Sequence, residues 1–470
     1  MSLVERPPAA NARASAPVAA TVTQRAGAAN PASADAPLLR AEAALPAVGA
    51  HHTWMAVLLI VMIGKVTEWV PGITGLPLAK IAFFFTVAYW ARERQKLVPV
   101  RVTSLRIAKP VITFFALSIL SVFFSIYKSY TLIESEASAI LLITFVVLLK
   151  ITQTMRDVER MLLALVGSAM SLTVGVLVNY SGGRAHINEH FDPNDVAYVL
   201  DALLPVVIAY GVAHSRRGKW LAYGFALTMT LAILLTGSRG GAIGLAAVAL
   251  ALFAYPLNFS KTGELRGFAP GGMIVKLALL GVLGVAIWGS LPGDTRERLT
   301  TLADLQHDYN AGNSNASRTV LWRRDIGLAL QRPIGYGLGS AAAADGRAGG
   351  QYRTAHNSFV QAFLELGVLG LVLFVSSYIV TSRELGRISL RGQRKPVDRE
   401  TAKAALYARA LRIALLGTVA AGFFLSQAYS SCLWMILAIC ASLARASGSA
   451  PSAASEPTRP KATVRTRAAA

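Results

Sequence analysis

A histidine marks the point where a polar loop becomes an apolar helix, in His356-Asn357-Ser358-Phe359. Asn357 or Ser358 is placed to cap that helix. The positive end of the helix dipole favours the neutral imidazole, and nearby arginines push the same way. A neutral imidazole accepts a proton from a hydroxyl, which is what general-base catalysis requires. The plainer alternative is an interfacial histidine with no chemical task.

Arginines supply the complementary chemistry. The stretch Ser317-Arg318-Thr319-Val320-Leu321-Trp322-Arg323-Arg324-Asp325-Ile326-Gly327 falls in an expected helix, 316–331, with Ser314 or Asn315 as N-cap and Pro333 as stop. Arg323 and Gly327 are four apart and share a face, so the glycine leaves space beside the guanidinium. A guanidinium with open space beside it suits a diphosphate, which it grips through a bidentate fork. The alternative is a solvated basic face in which Arg323 or Arg324 pairs with Asp325. Arg239 sits in Gly237-Ser238-Arg239-Gly240-Gly241, between apolar blocks. Burying it in a bilayer would cost about 2.5–3.5 kcal/mol on insertion scales. It therefore belongs at a membrane face, holding either a lipid phosphate or a substrate phosphate.

Other polar features carry less. His186 and His190 are four apart around Glu189, but no third ligand follows at matching spacing, so no metal site is expected. Asp192 and Pro193 make a good helix start. Asn194 and Asp201 are seven apart and line one face, with Asn194 in a supporting role of capping and packing. Cys432 and Cys440 are eight apart on one helix, too far to bridge without distorting it. There is no P-loop, dinucleotide fingerprint or hydrolase serine elbow. Gly335-Tyr336-Gly337-Leu338-Gly339 follows a helix and makes a poor nucleotide site.

The elements that must position these residues follow from hydropathy. The chain has 470 residues, of which 54% are hydrophobic and 15% charged. A soluble domain carries nearer a quarter charged residues. The apolar residues come in twelve blocks: 54–71, 75–91, 107–125, 131–150, 159–179, 194–213, 219–236, 239–256, 273–291, 357–380, 405–425 and 427–445. Blocks of this length are what a hydrocarbon core of about 30 Å asks of a helix. The run 220–257 would be about 57 Å long as one helix, so it must fold back at its three glycines. In the first block, Lys65 and Glu68 are three apart, placed to pair on one helix face.

The net charge of +21 does not signal nucleic acid, because the basic residues sit in short loops and the two tails. Arg92 to Arg106, Lys150 to Arg160, Arg216 to Lys219, Lys261 and Arg266, and Arg383 to Arg399 form one set of loops. It alternates with short loops carrying only Lys128, Arg184 and Arg239. By the positive-inside rule the first set is cytoplasmic. The expected organisation is a disordered cytoplasmic tail over 1–50, a transmembrane catalytic domain over 51–445 and a second such tail over 446–470. The first tail holds no apolar signal core. The long connection 292–356 lies outside, with short helices over 296–306 and 316–331 and an irregular stretch over 333–350. Arg239, the arginine helix and His356 then meet the same outer surface.

Four stretches, in this order, resemble the O-antigen ligase and O-antigen polymerase family of bacterial envelope glycosyltransferases. They are Phe191-Asp192-Pro193-Asn194-Asp195; Gly237-Ser238-Arg239-Gly240-Gly241; Ser317-Arg318 through Trp322 to Pro333-Ile334-Gly335-Tyr336-Gly337-Leu338-Gly339; and His356-Asn357-Ser358 leading to Gly367. Twelve spans with one long, late periplasmic loop also resemble the family, and the likeness covers about residues 54–445. The family's ligases pair an Arg-x-x-x-Gly pattern with a His followed by a Gly eleven positions on, as Arg323 to Gly327 and His356 to Gly367 do here.

The resemblance implies an all-α polytopic fold of the GT-C type in the bacterial inner membrane. It implies a donor glycan on undecaprenyl diphosphate, and an acceptor that is another glycan, lipid A-core or protein. By likeness, His356 activates the acceptor hydroxyl, and Arg239 and Arg323 bind the diphosphate. Arg318 is an alternative to Arg323. No cofactor, metal or nucleotide is expected. One-step attack on a neutralised leaving group inverts the anomeric centre. The competing class is a secondary transporter or flippase, kept open by Asp201 and Glu365 inside apolar blocks. A transporter gathers its polar residues near the midplane, whereas the candidates here gather at the outer face.

Overall fold

The computed structural model describes residues 49–102, 105–185, 187, 191–260, 262–267, 281, 284–285, 288–289, 291–300, 318–394 and 397–448. Among these the architecture is helical, and an isolated antiparallel bridge joins Phe259 and Leu265. The first helices are α1 (Ala50–Gly64), α2 (Val66–Trp69), α3 (Leu78–Glu93), α4 (Ala108–Leu120) and α5 (Lys128–Ile151). Next come α6 (Met155–Val178), α7 (Pro193–His214), α8 (Arg216–Leu235), α9 (Arg239–Ala254) and α10 (Gly293–Thr300). The last are α11 (Arg318–Gln331), α12 (Ala341–Arg347), α13 (Ser358–Arg391), α14 (Arg399–Gly422) and α15 (Ser431–Ala446).

Eleven of the twelve apolar blocks coincide with helices, and the ninth, 273–291, lies mostly outside the described residues. Among the described residues, six helices are long and apolar enough to cross a membrane: α5, α6, α7, α8, α13 and α14. The apolar helices α1, α9, α15 and the run Ala108–Phe123 are shorter. α1 stops early because Lys65 takes a left-handed backbone, φ 51°. The Lys65 ammonium instead sits 5.0 Å from the centroid of the Phe191 ring. Lys65 and Glu68 thus do not share one continuous helix, contrary to what their spacing suggests. The two expected tails lie outside the described residues except at their inner edges, where α1 opens at Ala50 and α15 closes at Ala446.

The long run 220–257 folds back at its glycines. Gly237 takes φ 58°, and the Ser238 side chain caps α9 by accepting a hydrogen bond from Gly241 N at 3.1 Å. α7 is the centre of the packing, buried along nearly its whole length. Small residues let its neighbours approach where a bilayer offers no hydrophobic drive. Gly241 lies against Ala197, and Gly244 against the Asp201 carboxylate, with no room for a Cβ at either. Gly211 meets Gly218 and Ala222 in the same way. α15 is buried throughout, with Trp434 stacked on Phe114 at 4.9 Å and both cysteines unbridged.

The turns between helices gather into two clusters, at opposite ends of α7, which is about 33 Å long. One cluster holds the turns that the charge pattern assigns to the outside. There the 332–340 segment is fastened to the α4–α5 turn. Arg332 Nη2 donates to Phe124 O at 2.6 Å, Ile126 N to Tyr336 O at 3.0 Å, and Leu338 N to Ser121 Oγ at 2.9 Å. The other cluster joins the basic loops. Lys403 pairs with Glu159 at 2.8 Å, and Arg106 with Glu384 at 3.1 Å.

Candidate active site

α13 begins because Asn357 caps it, its Oδ1 accepting from Phe359 N at 2.9 Å and Val360 N at 3.1 Å. Ser358 has a different task. Its hydroxyl donates to Leu425 O at 2.7 Å and accepts from Gln427 N at 2.9 Å. His356, half-buried, precedes this cap with φ 45°. Left-handed backbone is uncommon outside glycine and persists where the surroundings over-determine it. Here the Asn357 cap and the Ser358 anchor do so.

α11 buries Leu321, Asp325 and Ala329, one per turn. At 3.6 residues per turn, Arg318 sits about 40° from Trp322 around the helix, while Arg323 lies about 100° from it on the far side. Arg318 is half-buried and Arg323 exposed. Trp322 Nε1 donates to Ala355 O at 2.8 Å, next to His356, and its ring meets Phe423 edge-on at 5.4 Å. Gly327 faces open space, in keeping with the Arg323–Gly327 spacing.

Neither arginine of the expected pair meets Asp325 in a salt bridge. Arg324 pairs with Asp345 at 2.7 Å instead. Asp345 is fully buried and also accepts from Gln351 N at 2.9 Å and Arg353 N at 3.3 Å. It thereby shapes the chain that runs into His356. Asp325 is fully buried too, and neither of its oxygens has a hydrogen-bond partner among the described residues. Desolvation, and then the Asp345 charge, push its carboxyl up to about 7, with Arg324 opposing.

Arg239 is the first residue of α9. Gly240, beside it, packs against Phe424 and Leu425, which would stand 3.2 Å from a Cβ at that position. The Arg239 turn, Trp322 and Ser358 therefore all dock on one connection, 423–430, between α14 and α15. Gln427 of the same connection donates a side-chain hydrogen bond to Asp195 in the first turn of α7. Asn194 lies beside it, donating to Asp192 Oδ1 at 2.8 Å and accepting from Arg184 Nη2 at 3.2 Å. Arg184 Nε reaches Thr236 O at 3.1 Å, one residue before the Arg239 turn. Asn194, Arg239 and His356 each stand at or just before a helix N-terminus. Such ends present N–H groups and partial positive charge, which suit an anion.

Gly367 does not join this group. Roughly 14 Å of helix separates it from Ser358. It breaks α13 with φ 69° and ψ −164°. The break frees backbone groups, and the glycine-rich segment after Pro333 takes them up. Val368 N donates to Pro333 O at 2.9 Å, Tyr336 N to Leu364 O at 2.9 Å and Gly337 N to Glu365 O at 2.8 Å. The stretch 333–350, expected to be irregular, is a fastened turn followed by α12.

Sequence reasoning does not single out Trp322 or the connection 423–430. The expected blocks 405–425 and 427–445 leave a single residue between them, because Phe423, Phe424 and Leu425 are as apolar as the helices around them. Asp345, lone in a run of Ala and Gly, gives a signal only in its charge. Among the described residues no three or more His, Cys, Asp or Glu side chains come together as a metal site. His186, Glu189 and His190 lie outside them.

No curated protein matches this chain. Residues 224–375, which include Arg239, Arg318, Arg323, Gly327, His356 and Gly367, match the family model described as O-antigen ligase.

Proposed function

We propose that the chain transfers a glycan from undecaprenyl diphosphate to an acceptor hydroxyl at the periplasmic face of the bacterial inner membrane. The family gives the general class, an O-antigen ligase or polymerase type of enzyme that handles a lipid-linked glycan and an acceptor. In this reading the chain crosses the membrane twelve times, with both termini cytoplasmic and 292–356 outside. His356 takes the proton of the acceptor hydroxyl as its oxygen attacks the anomeric carbon. The bond from that carbon to the diphosphate oxygen breaks, undecaprenyl diphosphate leaves, and the configuration inverts. Arg239, at the start of α9, and Arg318 hold and neutralise the leaving group. Arg323, exposed beside the open face at Gly327, serves as an outer contact for the donor. Asn194 steadies Arg184 and the adjoining turn.

The observation that carries this reading is the convergence of three distant segments on 423–430. The Trp322 ring of α11 meets Phe423, Gly240 lies against Phe424, and Ser358 bonds Leu425. The test is complementation of a deletion strain with intact protein, His356→Ala and Arg239→Ala at matched membrane levels. Loss of polymer or of glycan attachment, with undecaprenyl-linked donor accumulating, is expected. Which of the two is lost separates polymerase from ligase. Unchanged glycans in both variants would overturn the assignment.

One observation favours a second reading, a transporter or flippase. Asp201 is fully buried in the bundle, and neither carboxylate oxygen has a hydrogen-bond partner among the described residues. Intramembrane carboxylates of this kind often serve proton or ion coupling.

A further inference from the structure

A cleft of about 570 Å³ opens beside the proposed transfer site, lined by the start of α5, by α12 and by the first turns of α13. It borders that site on both sides of the chain. Thr354 lies two residues before His356, and Gln361 lies in the first turn of α13. Tyr127 and Tyr130 line it as a stacked pair, 12° from parallel with centroids 5.8 Å apart. They are nevertheless 49% and 41% exposed. Tyr352, held in a left-handed backbone at φ 56°, adds a third exposed ring. Gly339 makes the wall: a Cβ there would stand 2.8 Å from the Tyr130 ring and 2.9 Å from Glu134.

Glu365 supplies the observation that points to a ligand. It lines the cleft at 2% exposure. Its Oε1 accepts from Ala341 N at 3.4 Å, while Oε2 and the Tyr429 hydroxyl that stands beside it in the cleft make no hydrogen bond of good geometry among the described residues. A buried carboxylate oxygen left without a donor is costly, and proteins keep few of them. Glu134 brings a second carboxylate to the same space. Arg347 also lines it, but its Nη2 already donates to Ile126 O at 3.1 Å.

These groups match the two aspects of a sugar ring. Exposed phenol rings offer flat apolar plates to its C–H face, and carboxylates accept from its hydroxyls or amines. We propose that this cleft binds the end of the acceptor glycan, stacking it on the exposed tyrosines and accepting from its hydroxyls. The word acceptor rests on the transferase reading of the neighbouring site; the sugar binding itself does not.

The test uses the full chain, purified in detergent, on an array of neutral, amino and uronic-acid oligosaccharides. Binding is expected on the array. It should fall at least tenfold in Tyr130→Ala and in Glu365→Gln. Tyr130 is partly exposed, so its variant guards against misfolding of the buried Glu365 change. Transfer kinetics form the second arm, where both cleft variants should raise the KM for acceptor and leave that for donor unchanged. No binding at all, binding undiminished in both variants, or a shift in donor KM alone would each overturn the proposal. If the array result holds but the intact protein transfers nothing, the transferase reading fails and the sugar site stands.

Discussion

The carbonyl of Pro333 occupies the space that a Cβ on Gly367 would need. The two residues lie on different segments, yet Val368 N donates to Pro333 O at 2.9 Å. Gly367 also has φ 69° and ψ −164°, a region essentially restricted to glycine. Gly367→Ala therefore combines backbone strain of about 1–3 kcal/mol with a collision. It should lower the thermal midpoint and expose 333–356 to protease. A variant as stable and as protease-resistant as the parent would show that the kink is not what docks this segment.

Gly327 makes the opposite prediction. It lies within α11 and faces open space. Gly327→Ala should stabilise the protein by about 0.5–1 kcal/mol, the ordinary gain for that change in a helix. Transfer should stay near the parent rate. If stability rises while transfer is lost, the open face belongs to the donor site and Arg323 takes the role assigned to Arg318.

The two arginines can be separated directly. Arg318 shares the Trp322 flank of α11, whereas Arg323 is exposed on the far side. Removing a preorganised donor to developing negative charge costs about 10²–10³ in rate. Arg318→Ala should fall in that range, and Arg323→Ala should lose less than about tenfold, as expected for a peripheral contact. Equal losses in the two, measured as initial rates at matched protein, would remove the distinction.

Much of this arrangement is legible in the amino-acid sequence, and the reason is physical. A bilayer requires long apolar helices, so the eleven helical blocks can be read from hydropathy. The turn at Gly237 is legible because a run of 220–257 cannot stay one helix inside a membrane. The order of Arg239, the arginine helix and His356 along the chain is legible too. Which arginine faces inward is not, because helix phase is set by Trp322 meeting Ala355, a contact between residues 33 apart. The connection 423–430 is hidden by its own apolar composition. Gly367 sits in a sequence that otherwise reads as uninterrupted helix, and its break is offset only by the distant backbone of 333–337. Asp345 cannot be matched to Arg324 from sequence because that pairing depends on how α12 folds back.

Asp325 gives a pH dependence with a definite sign. Burial raises its folded-state pKa to about 7, against about 4 in the unfolded chain. The folded protein then binds the proton more tightly, so this group's stabilising contribution is full below pH ~4 and is lost as pH rises to ~7. Asp325→Asn cannot titrate there. Its melting temperature relative to the parent should climb between pH 4 and pH 7 and level off above that. Parallel melting curves for the two proteins would place the ionised carboxylate in contact with a donor and refute the burial argument.

Asp201 separates the two functional classes. It sits where α7, α9 and α14 meet, with Gly244 against its carboxylate and Ala421 beside Gly244. In a transferase whose chemistry lies at the N-terminal end of α7, the Asp201 side chain lies roughly one to two turns deeper than Asn194 and touches no reacting group. Asp201→Asn keeps its shape and removes its charge. Glycan transfer, assayed on purified protein with lipid-linked donor, should stay within about threefold of the parent, a change of less than about 1 kcal/mol in the barrier. A proton-coupled carrier would respond differently, because the coupling charge itself would be gone. Retained transfer in vitro together with lost glycan delivery in cells would assign Asp201 to transport. Loss of transfer in the folded, purified variant would instead draw the reacting site deeper into the bundle than the 423–430 connection.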